Sequence, residues 1–587
     1  MGNASQTRSP AAAEPIDDWR FAAAVIALLL TLSSLPYAYA YWSAPPDRQF
    51  MGILVNVPDH GQYMAWMRGL SAAHLMPNTL TPEPNPPLFF NLLWWAVGRA
   101  GVLLGLGPAG SLQLLRVVAT ALFLIVVHRL CALFLTDGMG RRPMPRNEKI
   151  FVGDESAVSN SVEAFRTARL MRRTAFLVAS LTSGFGWMLI VLKYTVTAGT
   201  LLFPLDVFIA EGNTFYCLLA QSHFLAAGLY LFVFELVLRG EESGRLRWAV
   251  AAGIITLLLA WQHAYDLASV YGVLLGYGLL RVLRDRRLPI YLVKAGLVIV
   301  ALSWWPGAYS VVLTRAEPTW RVVLAQFGNA GVATPSPLHL AILLGPAFLL
   351  AIAGLLADRP WSLRGLDDRA LFLRAWFLSG FLLVYLPVSW NVHLINGWQV
   401  PIAILATQAW FRWVAPAAAR RLPHADRRAL RRWLAAALVL AVLPTNLYLF
   451  SWRFIDLARH GHPYYLLQDE LAALRWIDAN ARPDDVVLSS LTIGHYVPAL
   501  AGTHAYLAHW AQTVDYYDKE RAVRTFFDPA TDDATRRAIL ARGGVDWIFY
   551  GDEERELGSY QPGASPFLQR VFAAGRSEVY RVVPEPG

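Results

Sequence analysis

From residue 21 onward the chain repeats one pattern, a run of about twenty apolar residues followed by a short polar or basic break. A run of that length is what an α-helix needs to cross the hydrocarbon core of a bilayer. Spans are expected near 21–42, 112–135, 174–193, 213–238, 246–265, 267–283, 290–312, 338–357, 371–390, 398–415 and 433–452. The breaks that follow every second span are strongly basic: "RRPMPRNEK" with "RTARLMRR", "RGEESGRLR", "RDRR", "DRPWSLRGLDDR" and "RRLPHADRRALRR". Lys and Arg accumulate in cytoplasmic loops, so these breaks are placed inside. The segment 86–107, "PPLFFNLLWWAVGRAGVLLGLG", is apolar enough to cross as well. Counting it as a span would move every later basic break outside. It is therefore expected to lie in the interface, with Trp94 and Trp95 at headgroup depth.

The pattern changes after residue 452. "ALRWIDANARPDDVVLSS" reads as helix, turn and strand, "GGVDWIFYGDE" as a second buried strand, and the intervening "AVRTFFDPATDDATRRAILARG" has helical spacing. The expected fold class is a polytopic α-helical membrane protein of about eleven transmembrane helices with a small C-terminal extracytoplasmic α/β domain. Its expected parts are a cytoplasmic tail (1–20), a membrane domain (21–452) whose first outer loop covers 43–111, and the outer domain (453–587).

Composition agrees with the pattern: 56% of the 587 residues are apolar, and 16% are charged where soluble domains carry about 25%. The net charge of +9 sits mostly in short loops, so it reports orientation in a plasma (inner) membrane, with no nucleic-acid partner expected. The segment 21–42 lacks the layout of a signal peptide and is read as a retained helix with the N-terminus inside. The two cysteines, Cys131 and Cys217, lie inside apolar runs and suggest neither a disulfide framework nor a thiolate metal site. Neither a Walker A pattern nor a GxGxxG after a strand occurs, so no bound nucleotide is expected.

An ionisable residue near an apolar span is costly unless it is paired, hydrated or functional. The outer loops collect Asp59, His60, Arg116, Asp206, Glu211, His263, Asp266, Arg315, Glu317, Arg321 and His393. In a short helix beginning at Pro58, Asp59, Tyr63 and Met67 share a face at i, i+4 and i+8. A carboxylate there could take a proton from an attacking hydroxyl; the plainer reading is an acid that favours a helix start. Arg116 suits a phosphate, or simply snorkels to lipid headgroups. His263 and Asp266 in "WQHAYDLAS" could bind sugar hydroxyls or a metal, or cap a hairpin. "VSWNVHLINGWQ" places His393 among amides and Trp, which suits carbohydrate and equally an aromatic belt. In the tail, "SSLTIGHYVPALAGTHAYLAHWAQTVDYYDKE" follows an expected strand, where α/β sheets bind ligands. His509 and its neighbours there either meet a sugar or form an aromatic core.

The order of these features is similar to the GT-C superfamily of polytopic glycosyltransferases, in particular the dolichyl- and undecaprenyl-phosphate mannosyl- and aminoarabinosyltransferases. After one span come an outer loop with "DHGQY", then "PPLFFNLLWW" as a surface-lying helix, then an Arg opening the next span in "LLRVVATALFL". The resemblance implies a membrane enzyme that uses a polyprenyl-phosphate-linked sugar donor and a glycan, lipid or protein acceptor at the outer face. It implies Asp59 as catalytic base or acceptor-positioning group and Arg116 as a contact to the lipid phosphate, supported by Arg315 or Arg321. His60 stands where the family often has Glu. His60, Tyr63, Arg116, Glu211, His263, Asp266, Arg315, His393 and His509 are the expected substrate-binding residues, and a divalent metal ion is left open. A transporter or flippase of lipid-linked sugars and a non-catalytic receptor are the competing functions. A transporter should show inverted repeats, and the Gly and Pro residues are scattered without matching halves.

Overall fold

A computed structural model describes residues 14–135, 155–197, 209–330, 333–357 and 363–583. The expected loop acid Asp206, the basic break 141–149 and most of the tail 1–20 lie outside those residues.

Among the described residues, six helices are long and apolar enough to cross a membrane: Asp18–Ser43, Pro108–Phe134, Ser222–Ser243, Ala264–Asp285, Ile290–Ala316 and Pro337–Ala357. Two further pairs, Glu163–Leu181 with Gly186–Thr195 and Arg427–Ala441 with Pro444–Leu457, are bent by 47° and 50°, giving up to eight spans if each pair counts as one. The other expected spans are shorter helices, Arg247–Gln262, Asp368–Leu383 and Gln399–Ala409. Gln399–Ala409, nearly all buried, runs on through a π-helical turn at Trp410–Val414 into the helix Ala415–Arg421, so this segment is helical well beyond its first stretch.

The bends have a shared cause. Ser183 Oγ donates to the Val442 carbonyl at 2.5 Å, Thr445 Oγ1 to Gly184 O at 2.7 Å, and Asn446 Nδ2 to Leu181 O at 2.6 Å. The break in each helix thus supplies the hydrogen bonds that the other has lost. The helix Pro337–Ala357 joins them at its own kink, where Gly345 has φ 63° and Phe185 N donates to Ile342 O at 2.8 Å. Broken backbone is tolerated at membrane depth only when protein buries it in this way.

The two ends of the bundle differ in chemistry. At one end arginines meet acids in pairs: Arg169, Arg172 and Arg173 with Asp18, Arg431 with Glu163, Arg129 and Arg239 with Glu235, and Arg284 with Asp368. At the other end sits the α/β domain. Its strands are β3 (Val486–Leu488), β4 (His504–Ala505), β5 (Val545–Tyr550), β6 (Leu568–Ala574) and β7 (Ser577–Val582), after two short earlier strands, β1 (Arg48–Phe50) and β2 (Tyr465–Leu467). The five-stranded sheet has the order β4-β3-β5-β7-β6, parallel through β4, β3 and β5 and antiparallel beyond.

Several contacts weld this domain to the first loop after the opening helix. β1 pairs antiparallel with β2. Ala505 N donates to Thr79 O at 3.0 Å, Thr513 Oγ1 to Leu80 O at 2.6 Å, and Arg68 pairs with Asp478. Gly61 marks a close backbone approach: a Cβ there would stand 2.5 Å from the carbonyl oxygen of His495. On the neighbouring helix Leu92–Leu103, Gly98 plays the equivalent part, since its Cβ would lie 2.4 Å from Met67 O. These two glycines let the α/β domain and the helix Leu92–Leu103 both pack directly on the segment that carries Asp59.

Candidate functional site

The helix Val57–Ala72 begins with Asn56 in the left-handed region (φ 50°) and Pro58 in its first turn, where a missing N–H costs nothing. Asn56 Nδ2 reaches forward to Asp59 Oδ2 at 2.5 Å. The other carboxylate oxygen accepts from His509 Nε2 at 2.9 Å, a contact spanning 450 residues of sequence. Burial pushes the Asp59 carboxyl up, but His509, with His60 and Asn56, outweighs it and holds the group below the usual carboxylate range.

One residue on, His60 points into the protein. Its ring nitrogens lie 3.0 Å from Asn56 O and 3.0 Å from Ala220 O, and burial, the leading influence, holds its pKa below the ordinary value. His60 therefore ties the Asp59 helix to the segment Thr214–Ala220. Tyr63, one turn beyond Asp59, stacks on Trp94 with ring centroids 4.3 Å apart and places its hydroxyl 3.3 Å from His223 Nε2.

The remaining residues arrive as carboxylate–imidazole pairs on separate turns. His263 Nδ1 is 2.8 Å from Asp266 Oδ2, while its Nε2 meets the Tyr265 hydroxyl in a short contact. His393 Nδ1 meets Glu211 Oε1, also in a short contact. Burial disfavours charge on His393, but Glu211, followed by Asp266 and Asp59, more than compensates and raises its pKa. The Tyr265 ring stacks on His393 at 5.2 Å and on Trp390 at 5.7 Å, and His223 and His263 stand 6.0 Å apart. A cavity of about 180 Å³ opens between them, lined by Gln62, Tyr63, Trp66, His223, His263 and Tyr265 among others. Aromatic faces beside amide and imidazole groups at this scale are suited to one sugar ring.

Of the expected residues, the structure gathers Asp59, Tyr63, Glu211, His263, Asp266, His393 and His509 around this region. Arg116 stands apart. Its guanidinium donates to Gln113 Oε1 at 2.8 Å, Ser33 Oγ at 2.9 Å and Ser34 Oγ at 2.9 Å, and lies over the Tyr37 ring. Those contacts lock the Pro108–Phe134 helix to the Asp18–Ser43 helix and leave the arginine 4% exposed. Arg315 and Arg321 are exposed, with Arg321 Nε donating to Arg315 O at 3.2 Å. A few residues further on, Phe327 lines the cavity and Gln326 Nε2 donates to Ala511 O at 2.9 Å and Thr513 O at 2.8 Å, in the turn that follows His509.

Asn56 is a residue of the site that the sequence pattern did not single out. Asn56 could have been flagged as the polar residue preceding a Pro-initiated helix. Gln62, within the "DHGQY" stretch, lines the cavity beside Tyr63. A larger cavity, about 560 Å³, lies at the arginine-rich end between Arg364, Arg374 and Arg412, remote from these groups. Among the described residues no cluster of three or more His, Cys, Asp or Glu side chains is arranged to hold a metal ion, and Asp59, Glu211 and Asp266 are each already paired with an imidazole.

No protein-family model matches the chain, and no curated protein sequence matches it. Solved structures do. The oligosaccharyltransferase of Archaeoglobus fulgidus, tethered with an acceptor peptide containing the NVT sequon, aligns over 90% of this chain and 69% of its own at 13% identity and a TM-score of 0.51. The same protein, AglB, in complex with an inhibitory peptide and a dolichol-phosphate aligns equally, at 12% identity and a TM-score of 0.51. The arabinofuranosyltransferase AftD from Mycobacteria aligns over 97% of this chain and 40% of its own, at 14% identity and a TM-score of 0.50. The chain thus shares the fold of membrane glycosyltransferases of the GT-C type.

Proposed function

We propose that the chain is a membrane glycosyltransferase that moves a sugar from a polyprenyl-phosphate donor to an acceptor at the extracytoplasmic face. The observation that carries this reading is the convergence of Asp59, two carboxylate–imidazole pairs and an aromatic cavity at the end of the bundle away from the paired arginines. Its support from outside is the shared fold with AglB, which has been captured with a dolichol-phosphate and with an acceptor peptide. In this reading the chain crosses the plasma (inner) membrane about eleven times within residues 21–452, and residues 453–587 lie outside. The basic end faces the cytoplasm in this reading, which the distribution of Lys and Arg supports.

The chemistry assigned to the site needs few parts. Asp59, ionised and held at both oxygens, accepts the proton of an acceptor hydroxyl as that oxygen attacks the anomeric carbon. The leaving group is a lipid phosphate, and cations placed where its charge develops lower the barrier. Arg315 and Arg321 take that role, because both are exposed on the segment that leads to Phe327 at the cavity, whereas Arg116 is spent on Ser33, Ser34 and Gln113. Glu211 with His393, and Asp266 with His263, present fixed polar groups to sugar hydroxyls. The acceptor is a glycan, a lipid or a protein, and the sugar transferred is a hexose or a pentose. Neither transport nor a receptor role is favoured by a specific observation.

The test is mass spectrometry of glycans and glycolipids from cells carrying the wild-type chain or Asp59→Asn at equal abundance. Loss of one sugar-bearing species in the variant is the expected result. An unchanged glycan profile in the variant removes Asp59 from catalysis.

A further inference from the structure

We propose that His509 is a positioning residue for Asp59, brought in by the α/β domain as an imidazole of fixed tautomer that can only donate to the carboxylate. The proposal rests on the glycosyltransferase reading for its functional meaning, and on geometry alone for the pairing itself.

The geometry settles which nitrogen carries the proton. His509 Nδ1 lies 3.0 Å from the backbone N of Ala511 and 3.3 Å from that of Gln512, both of which donate to it. A ring nitrogen that accepts from two N–H groups holds no hydrogen, so the proton of the neutral ring sits on Nε2. Nε2 points at Asp59 Oδ1, 2.9 Å away. The ring has only 3% of its side chain exposed, and both nitrogens are taken. A direct contact from His509 to a sugar, expected from the sequence, therefore gives way to a contact made through Asp59.

The loop that presents the ring is itself clamped. Ala508 N and His509 N both donate to Thr513 Oγ1 at 3.0 Å, and that hydroxyl donates to Leu80 O at 2.6 Å. Asn78 Nδ2 donates to Gln512 O at 2.9 Å, and Gln326 holds the carbonyls of Ala511 and Thr513. Two segments of the membrane domain thus fix a loop of the outer domain, and the loop fixes Asp59. A proton that Asp59 takes from an acceptor hydroxyl cannot pass to His509, whose Nε2 already carries one and whose Nδ1 is closed by backbone. It stays on Asp59 until it leaves to solvent.

Besides His509, the titratable groups facing Asp59 are His60 and Tyr63 on its own helix, Tyr265 and His393 on the two paired turns, and His495 of the helix Leu491–Tyr496. Burial, aided by His509, pushes His495 down to about 3, so it stays neutral over nearly all of the range tested.

The experiment reads Asp59 without a substrate. The purified full chain in lipid nanodiscs is exposed to a water-soluble carbodiimide, which labels protonated carboxyls, between pH 3 and 7, and the extent of labelling at Asp59 is read by mass spectrometry. In His509→Ala the labelling midpoint is expected to rise by about one pH unit or more, as loss of a charge-assisted hydrogen bond requires. His509→Gln, whose amide N–H reaches the Nε2 position, should return it toward wild type, and the shorter His509→Asn should not. An unmoved midpoint in both His509→Ala and His509→Asn, or a Gln variant indistinguishable from Ala, overturns the proposal. A moved midpoint together with an unchanged glycan profile in Asp59→Asn leaves the pairing standing and removes Asp59 from catalysis instead.

Discussion

At the scale of single residues, the site depends on how a carboxylate is kept ionised in a crowded place. Asp59 is opposed by burial and rescued by His509, His60 and Asn56, so its pKa lies below the ordinary carboxylate value. A depressed pKa means that the ionised form is present above it and is lost only as pH falls through it. Sugar transfer should therefore hold from neutral pH down through the usual carboxylate range and fail only at lower pH, as measured by initial rate against pH in the solubilised protein. Asp59→Asn keeps the shape and removes the proposed base, and a loss of about 10²- to 10⁴-fold in kcat is expected, with little change in thermal stability. Arg116→Ala should behave oppositely. The variant loses the hydrogen bonds to Ser33 and Ser34 and is expected to lower the unfolding temperature, while Arg315→Ala should raise KM for the lipid donor without that loss. Equal donor KM values in Arg315→Ala and wild type would refute a phosphate role for Arg315.

At the scale of elements, the decisive feature is the helix Val57–Ala72, which is gripped from two sides. Gly61 meets the His495 carbonyl and Gly98 meets the Met67 carbonyl, so each neighbour rests on bare backbone. Gly61→Ala would put a methyl group 2.5 Å from that oxygen, and backbone on both sides leaves little room to yield. A destabilisation of about 1–3 kcal/mol is expected from such overpacking. Gly278→Ala, where nothing lies within 4 Å of the added carbon, is the matched control and should unfold at the wild-type temperature. The apolar runs themselves were legible as helices because length and hydropathy suffice to mark them. The interlocked breaks at Leu181–Phe185 and Val442–Pro444 were not, since the groups that satisfy each lie on other helices, most of them on the other break some 260 residues away. The β6–β7 hairpin was not legible either, because both strands mix exposed and buried positions, with no continuous buried run to announce them.

At the scale of the whole molecule, the chain is two parts that share one site. The membrane part supplies Asp59, Tyr63 and the paired turns, and the α/β part supplies His509 through a loop after β4. β1 and β2 pair across more than 400 residues to hold the two together. The proposed orientation can be checked with single cysteines, because Cys131 and Cys217 are buried and give little background. Ser559→Cys, exposed in the α/β domain, should react with a membrane-impermeant maleimide on intact cells. Arg287→Cys, exposed in the basic "RDRR" turn, should react only after permeabilisation. The reverse pattern would place the site in the cytoplasm and remove the extracytoplasmic reading.

The sequence by itself determined the membrane class, the alternation of basic breaks and the residue types able to do chemistry, because these depend on hydropathy, charge and local spacing. It also singled out Asp59 and Tyr63, whose i, i+4 relation is a property of one helix. Which polar residues meet was decided only by the tertiary structure. Arg116 and Arg315 look alike in the sequence, yet one is enclosed by neighbouring helices and the other is exposed. His509 could be counted as one of several histidines in an aromatic stretch. That it donates to Asp59, and through which nitrogen, follows from two backbone N–H groups and a clamp on Leu80 and Gln326, contacts between segments that no local pattern relates.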